Sequence, residues 1–148
     1  MDNGEQSRRS DICEPDASYR RTGTTNIPNG PLIPITLWVS ENGPTRDKIA
    51  LLDTGANRTF IAPEIAAELE ELGAEKAEVR DSQAAGGPVQ QSQGYKIILE
   101  LPNFPPFRWT VYSLQMSREA YRCIIGRDLL QHFTLTYKGR EGEFILEK

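Results

Sequence analysis

The chain has 148 residues, 38% of them hydrophobic, and a formal net charge of -4 at pH 7. That length holds one domain with a small core. Acids and bases are mixed without a stripe of Lys and Arg interleaved with aromatics, which excludes nucleic acid as a main partner. No apolar run approaches the roughly eighteen residues of a membrane span, and the N-terminus lacks the apolar region of a signal peptide, so the cytoplasm is the expected location and no membrane partner is expected.

Met1 to Gly30 is polar, rich in Ser, Asn, Asp, Arg and Gly, and follows neither the helical nor the strand period. Such a segment buries too little apolar surface to offset its ordering entropy. It reads as a flexible arm over residues 1-30, with the folded unit at 31-148.

Leu32 to Val39 alternates, apolar at 33, 35, 37 and 39, and reads as a strand. Pro34 lacks an N–H, so this strand should lie at an edge or be paired on one side there. A turn with Asn42-Gly43 at its centre leads into Lys48 to Asp53, the second arm of a hairpin. Thr59 to Ile61 is a short strand. Pro63 then opens a helix with Ile65, Ala66, Leu69 and Leu72 on one face, and Gly73 stops it. Glu64, Glu68 and Glu71 occupy the solvated face.

Glu78–Ser82 and Gly94–Leu101 read as strands joined by the Gly- and Gln-rich stretch Gln83 to Gln93. Phe107 to Tyr112 alternates with large side chains at 107, 109 and 111, which suit a core. Tyr121 to Ile125 is a buried strand, Asp128 to Phe133 a short helix, and Phe133–Tyr137 with Phe144–Leu146 a hairpin. Many short strands with Gly and Pro turns and one or two short helices predict a mostly β, closed, barrel-like antiparallel fold.

Cys13 and Cys123 form neither a disulfide framework nor a metal site, and His132 stands alone, so no metal and no cofactor are expected. Cys123 reads as a small core hydrophobe.

Two stretches carry the chemistry. In Ile49-Ala50-Leu51-Leu52-Asp53-Thr54-Gly55-Ala56-Asn57, an apolar run that reads as a buried strand drives straight into an acid, a hydroxyl and a glycine. A carboxylate at the end of a buried strand is costly unless it is hydrogen-bonded, paired or used. Taken alone, Asp-Thr-Gly is also an ordinary strand-to-turn exit. The second stretch, Cys123-Ile124-Ile125-Gly126-Arg127-Asp128-Leu129-Leu130, follows roughly seventy residues later.

The pair, in this order and at this separation, resembles the retropepsin-like aspartic peptidases, the single-lobed group that includes the retroviral proteases. The resemblance runs from about Pro31 to Lys148. It implies that Asp53 is the catalytic acid and base, that Thr54 bonds across a two-fold axis, and that Gly55 keeps its carbonyl near the substrate. It further implies that Ala56, Asn57 and Ile125 line the substrate channel with Ala85, Gly86 and Gly87, the last three at the tip of a mobile flap. Gly126 would pass close beneath the catalytic loop, and Arg127, with Asp128, would brace it. Retroviral enzymes often carry an acid where this chain has Asn57, so Arg127 would meet a neutral hydrogen bond instead of an ion pair. Phe144, Ile145 and Leu146 would supply much of a homodimer interface and leave the N-terminal arm free, open to trimming by the enzyme itself.

The chemistry behind that resemblance requires two acids. Two carboxylates about 3 Å apart cannot both ionise, so one activates a water while the other protonates the departing side. This chain has one Asp-Thr-Gly and no second Asp-Thr-Gly or Asp-Ser-Gly. The second carboxylate must come from a second copy, as an isologous dimer provides. The expected function is an aspartic endopeptidase acting on extended polypeptides. The rival expectation is a retropepsin-shaped dimeric module that binds peptide or protein partners with little or no turnover, and behind it stands a plain structural β-barrel.

Overall fold

Residues 18–22, 30–83, 87–117 and 120–148 are described by a computed structural model. The hairpin of β2 (Leu32–Trp38) and β3 (Thr45–Leu52) begins the barrel. Alternation along β2 sends Ile33, Ile35 and Leu37 into the core. The turn is closed by the Gly43 N–H donating to the Ser40 carbonyl at 2.8 Å. Pro34 faces Ile49 of β3, while the other neighbour of β2 meets it only at Thr36 to Trp38. The missing N–H of Pro34 therefore falls where the strand is paired on one side, in keeping with its chemistry.

The chain continues through β4 (Phe60–Ile61), α1 (Pro63–Glu71), β5 (Glu75–Ser82), β6 (Gln90–Glu100), β7 (Phe107–Ser113), β8 (Cys123–Ile125) and the short α2 (Arg127–Leu130). The strands follow the order β2-β3-β8-β4-β7-β6, and β6 pairs back onto β2. This closes a six-stranded barrel, with β5 attached outside β6. Closure leaves fewer unpaired strand edges. The core gathers Ile33, Leu37, Ile97, Leu99, Val111 and Ile125 inside the ring, capped by Ile65 and Leu69 of α1. Gly73, with φ of 89°, ends the α1 segment in the left-handed region that favours glycine.

Four expectations change. The pairing is mixed, because β8 runs parallel to β3 and β4 parallel to β7. Strand β3 is not buried on both faces: Ala50 and Leu52 are buried, but Ile49 is 37% exposed and Leu51 half-buried, since one face of a barrel strand points outward. Strand β6 begins at Gln90, so much of the Gln-rich stretch is strand. Pairing of Gln90 to Gln93 with Ser82 to Val79 overrides its weak local preference. The fourth change concerns the arm. Ser18–Thr22 forms β1, which pairs with β10 (Glu143–Glu147), and β10 pairs in turn with β9 (Thr134–Lys138). Arg20 donates to Glu143 at 2.9 Å across this small sheet.

That sheet also reassigns Phe144 and Leu146. Both are 0% exposed in the single chain, and both edges of β10 are already paired. Phe144 packs against Tyr19 with ring centroids 6.1 Å apart. Only Ile145 of the three faces outward and remains partly accessible. Among the described residues, no helix is long and apolar enough to cross a membrane.

Candidate active site

The site is built by a crossing. Strand β3 ends at Leu52, residues 53–59 form a loop, and β4 returns at Phe60; between β3 and β4 lies β8, parallel to the first and antiparallel to the second. The loop therefore arches over the end of β8, where Ile125 gives way to Gly126. A side chain at Gly126 has no room. A Cβ there would meet the Arg58 carbonyl oxygen at 2.1 Å and that of Ala56 at 2.9 Å.

Backbone bonds fix the arch. The Asp53 N–H donates to the Ile125 carbonyl at 2.9 Å, Ala56 N–H to the Asp53 carbonyl at 3.2 Å, and Arg127 N–H to the Ala56 carbonyl at 2.9 Å. The Gly55 N–H donates to Oδ1 of Asp53 at 2.8 Å, which aims and holds the carboxylate. Asp53 is half-buried, while Thr54 and Gly55 are exposed. The Thr54 hydroxyl takes no partner among the described residues. Its carbonyl accepts from Nη1 of Arg127 at 2.9 Å, so the arginine braces the loop through a neutral acceptor.

A second layer lies beneath. Thr59 is 1% exposed and donates its hydroxyl to Oδ1 of Asp128 at 2.8 Å and its N–H to Oδ2 at 3.2 Å. Trp109 Nε1 donates to the same Oδ2 at 3.2 Å, and the Leu129 N–H donates to Oδ1 at 2.8 Å. The Gly126 N–H donates to the Thr59 hydroxyl at 3.3 Å. One carboxylate thus collects four donors and locks the far end of the loop to α2. Sequence reasoning missed Thr59 and Trp109. They stand 69 and 19 residues from Asp128, and no local pattern announces the pairing.

The structure brings Asp53, Thr54, Gly55, Gly126, Arg127 and Asp128 together at this crossing. It does not place Ala56 and Ile125 on a substrate-facing surface. Both are 0% exposed, Ala56 packed in a satellite cluster with Phe60, Tyr112 and Ile124, and Ile125 in the main core. A small side chain and a buried strand residue are what a tight crossing requires. Asn57 is half-buried, and its Oδ1 is buried without a hydrogen-bond partner. Gly87 lies on the loop joining β5 and β6, where its carbonyl accepts from the Gln83 amide at 2.8 Å. Ala85 and Gly86 lie outside the described residues.

Cys123, fully buried in β8, has its thiol pushed up to about 12 by burial, so it supplies no thiolate near neutral pH. Cys123 is a core residue, as its apolar neighbours predict.

No family model and no curated protein matches the chain. Among solved structures, the chain is similar to the retroviral protease-like domain of Ddi1 from Leishmania major. The identity is 19% over 74% of this chain and 82% of that one, with a TM-score of 0.42, a distant likeness in fold.

Proposed function

We propose that the protein is an aspartic endopeptidase whose dyad forms from the Asp53 carboxylates of two copies. The observation that carries this reading is the Asp53-Thr54-Gly55 turn, held from below by the Ile125 carbonyl and the Arg127 guanidinium while Thr54 and Gly55 face solvent. A plain structural turn needs no such support, and a preorganised carboxylate is what general acid–base chemistry needs.

One acid on an exposed loop cannot both activate water and protonate the leaving amine. Two facing copies resolve this, because a shared proton leaves one carboxylate as base and one as acid. The unpartnered Thr54 hydroxyl suits a bond to its twin across the axis. Asn57 is half-buried beside the turn, and its Oδ1, closed off in the single chain, would accept from a backbone N–H of an extended peptide once the side chain turns outward. Substrate would lie as an added strand between this loop and the hairpin of β5 and β6. The dimer contact falls to the exposed loop and to Ile145, since Phe144 and Leu146 are consumed within the chain.

Asp53→Asn preserves the shape of the side chain and its acceptor oxygen for Gly55. It is expected to fold and dimerise and to lose cleavage of a peptide library, which a pepstatin-type inhibitor also slows in the wild type. Full cleavage by this variant overturns the dyad.

A further inference from the structure

Arg58 lies one residue before the end of the arch, yet its side chain serves neither brace nor barrel. Its guanidinium lies over the ring of Tyr112 at 5.3 Å from the centroid, within cation–π range. Its Nε is buried without a hydrogen-bond partner, and it makes no ion pair among the described residues. It opens onto a groove of about 730 Å³, within the usual range of ligand sites. Lys96, Thr110 and Arg108 follow along the wall, on the outward face of β6 and β7, where Lys96 pairs with Thr110 and Arg108 lies two residues on.

The charges of this groove do not cancel. Glu75 is committed to Lys96 at 3.3 Å, and Asp128 is engaged by Thr59, Trp109 and its own helix. Arg58 and Arg108 are left without a carboxylate among the described residues, in a chain whose net charge is -4. A buried guanidinium nitrogen with no acceptor is a standing cost, and a carboxylate supplies the matching pair of oxygens. Arg58 is five positions along from Asp53, and a chain spans at most about 3.6 Å per residue, so their Cα atoms lie within roughly 18 Å. An extended peptide crosses that distance in about five residues.

We infer that this groove binds acidic side chains of the substrate peptide, placed within about five residues of the cut bond, with Arg58 and Arg108 receiving the carboxylates. The inference rests on the peptidase reading, but its test has a binding arm that does not need turnover. Two peptides are compared, one carrying Glu within that window and a twin carrying Gln. The wild type is expected to cleave the Glu peptide with a kcat/KM about tenfold higher, the difference lying in KM, as suits a charge-assisted pair. The Asp53→Asn protein is expected to bind the same peptide more tightly than its twin in fluorescence anisotropy, so absent cleavage by the wild type with this binding preference preserved sinks the peptidase and leaves the groove. In Arg58→Gln/Arg108→Gln the preference collapses toward one, while in Lys138→Gln/Arg140→Gln, the same loss of two positive charges at the β9–β10 turn, it persists. Should the double variant fail to fold, Arg108→Gln alone halves the preference or better, and added salt erodes it in the wild type. Equal binding of the two peptides by the Asp53→Asn protein, or a preference untouched by loss of Arg108, overturns the inference.

Discussion

Nη1 of Arg127 donates to the carbonyl oxygen of Thr54 across 2.9 Å, tying the first residue of α2 to the residue beside Asp53. The bond is exposed, so its worth to global stability is modest, about 0.5–1.5 kcal/mol. Its worth to geometry is greater, since a loop displaced by an ångström can lose about a hundredfold in rate. Arg127→Met is therefore expected to lower Tm by a few degrees and kcat by at least about tenfold, with KM little changed. Peptide kinetics beside a thermal melt check this, and an unchanged kcat counts against the brace.

Gly126→Ala tests the crossing itself. The added methyl meets backbone, the Arg58 carbonyl at 2.1 Å and the Ala56 carbonyl at 2.9 Å, which no side-chain rotation relieves. Over-packing typically costs about 1–3 kcal/mol and more where backbone must move. A loss of at least about 3 kcal/mol in denaturant unfolding is expected, and a loss below 1 kcal/mol would show that the arch gives way easily.

The Thr59–Asp128 pair should behave as a unit. Removing Asp128 by alanine strands the donors of Thr59 and Trp109, at an expected cost of about 2–4 kcal/mol. Thr59→Val removes one of the four donors to that carboxylate and leaves the Gly126 N–H without its acceptor. In a double-mutant cycle the two losses should fall short of additive by about 0.5–3 kcal/mol. Simple additivity would mean that the two side chains do not depend on one another.

The sequence carried the parts of this site that are local and left out those that are made by contact. Asp53, Thr54 and Gly55 are consecutive, and Gly126 and Arg127 adjoin, so each group is visible as a motif. That Gly126 lies under Arg58 follows from β8 slipping between β3 and β4, and no periodicity encodes which strands become neighbours. The same holds for Thr59 and Trp109, recruited by Asp128 from distant strands, and for β1, whose register against β10 joins residues such as Arg20 and Glu143, 123 positions apart. Ser18 to Thr22 is polar and looked unstructured because its partners, not its own composition, fix it. Ile49 and Leu51 misled in the opposite sense, since an apolar run does not say that one of its faces points out of a barrel.

Alkaline pH should loosen the core. Burial pushes the Tyr95 hydroxyl from 10.0 up to about 12, with the hydrogen bond and charge of Glu70 adding to it, and burial pushes the Cys123 thiol from 9.0 up to about 12. Both values are raised in the fold, so each group contributes stability that is whole below its ordinary value and is lost as pH rises toward 12. Unfolding free energy is expected to decline from about pH 9 upward, and to decline less steeply in Tyr95→Phe. In the same range Cys123 should resist iodoacetamide until the chain is unfolded, read by peptide mapping to separate it from Cys13. Rapid native labelling of Cys123 at pH 8 would contradict its burial.

The proposed dyad is tested most directly by mixing. Wild-type protein is held at fixed concentration and allowed to exchange subunits with about ninefold excess of Asp53→Asn protein, after which cleavage of a reporter peptide is measured. If each working site takes one acid from each copy, most wild-type chains end in mixed dimers and activity falls to roughly a tenth. Activity that stays where it was, while the two proteins demonstrably exchange partners, would mean that a single chain holds a complete site.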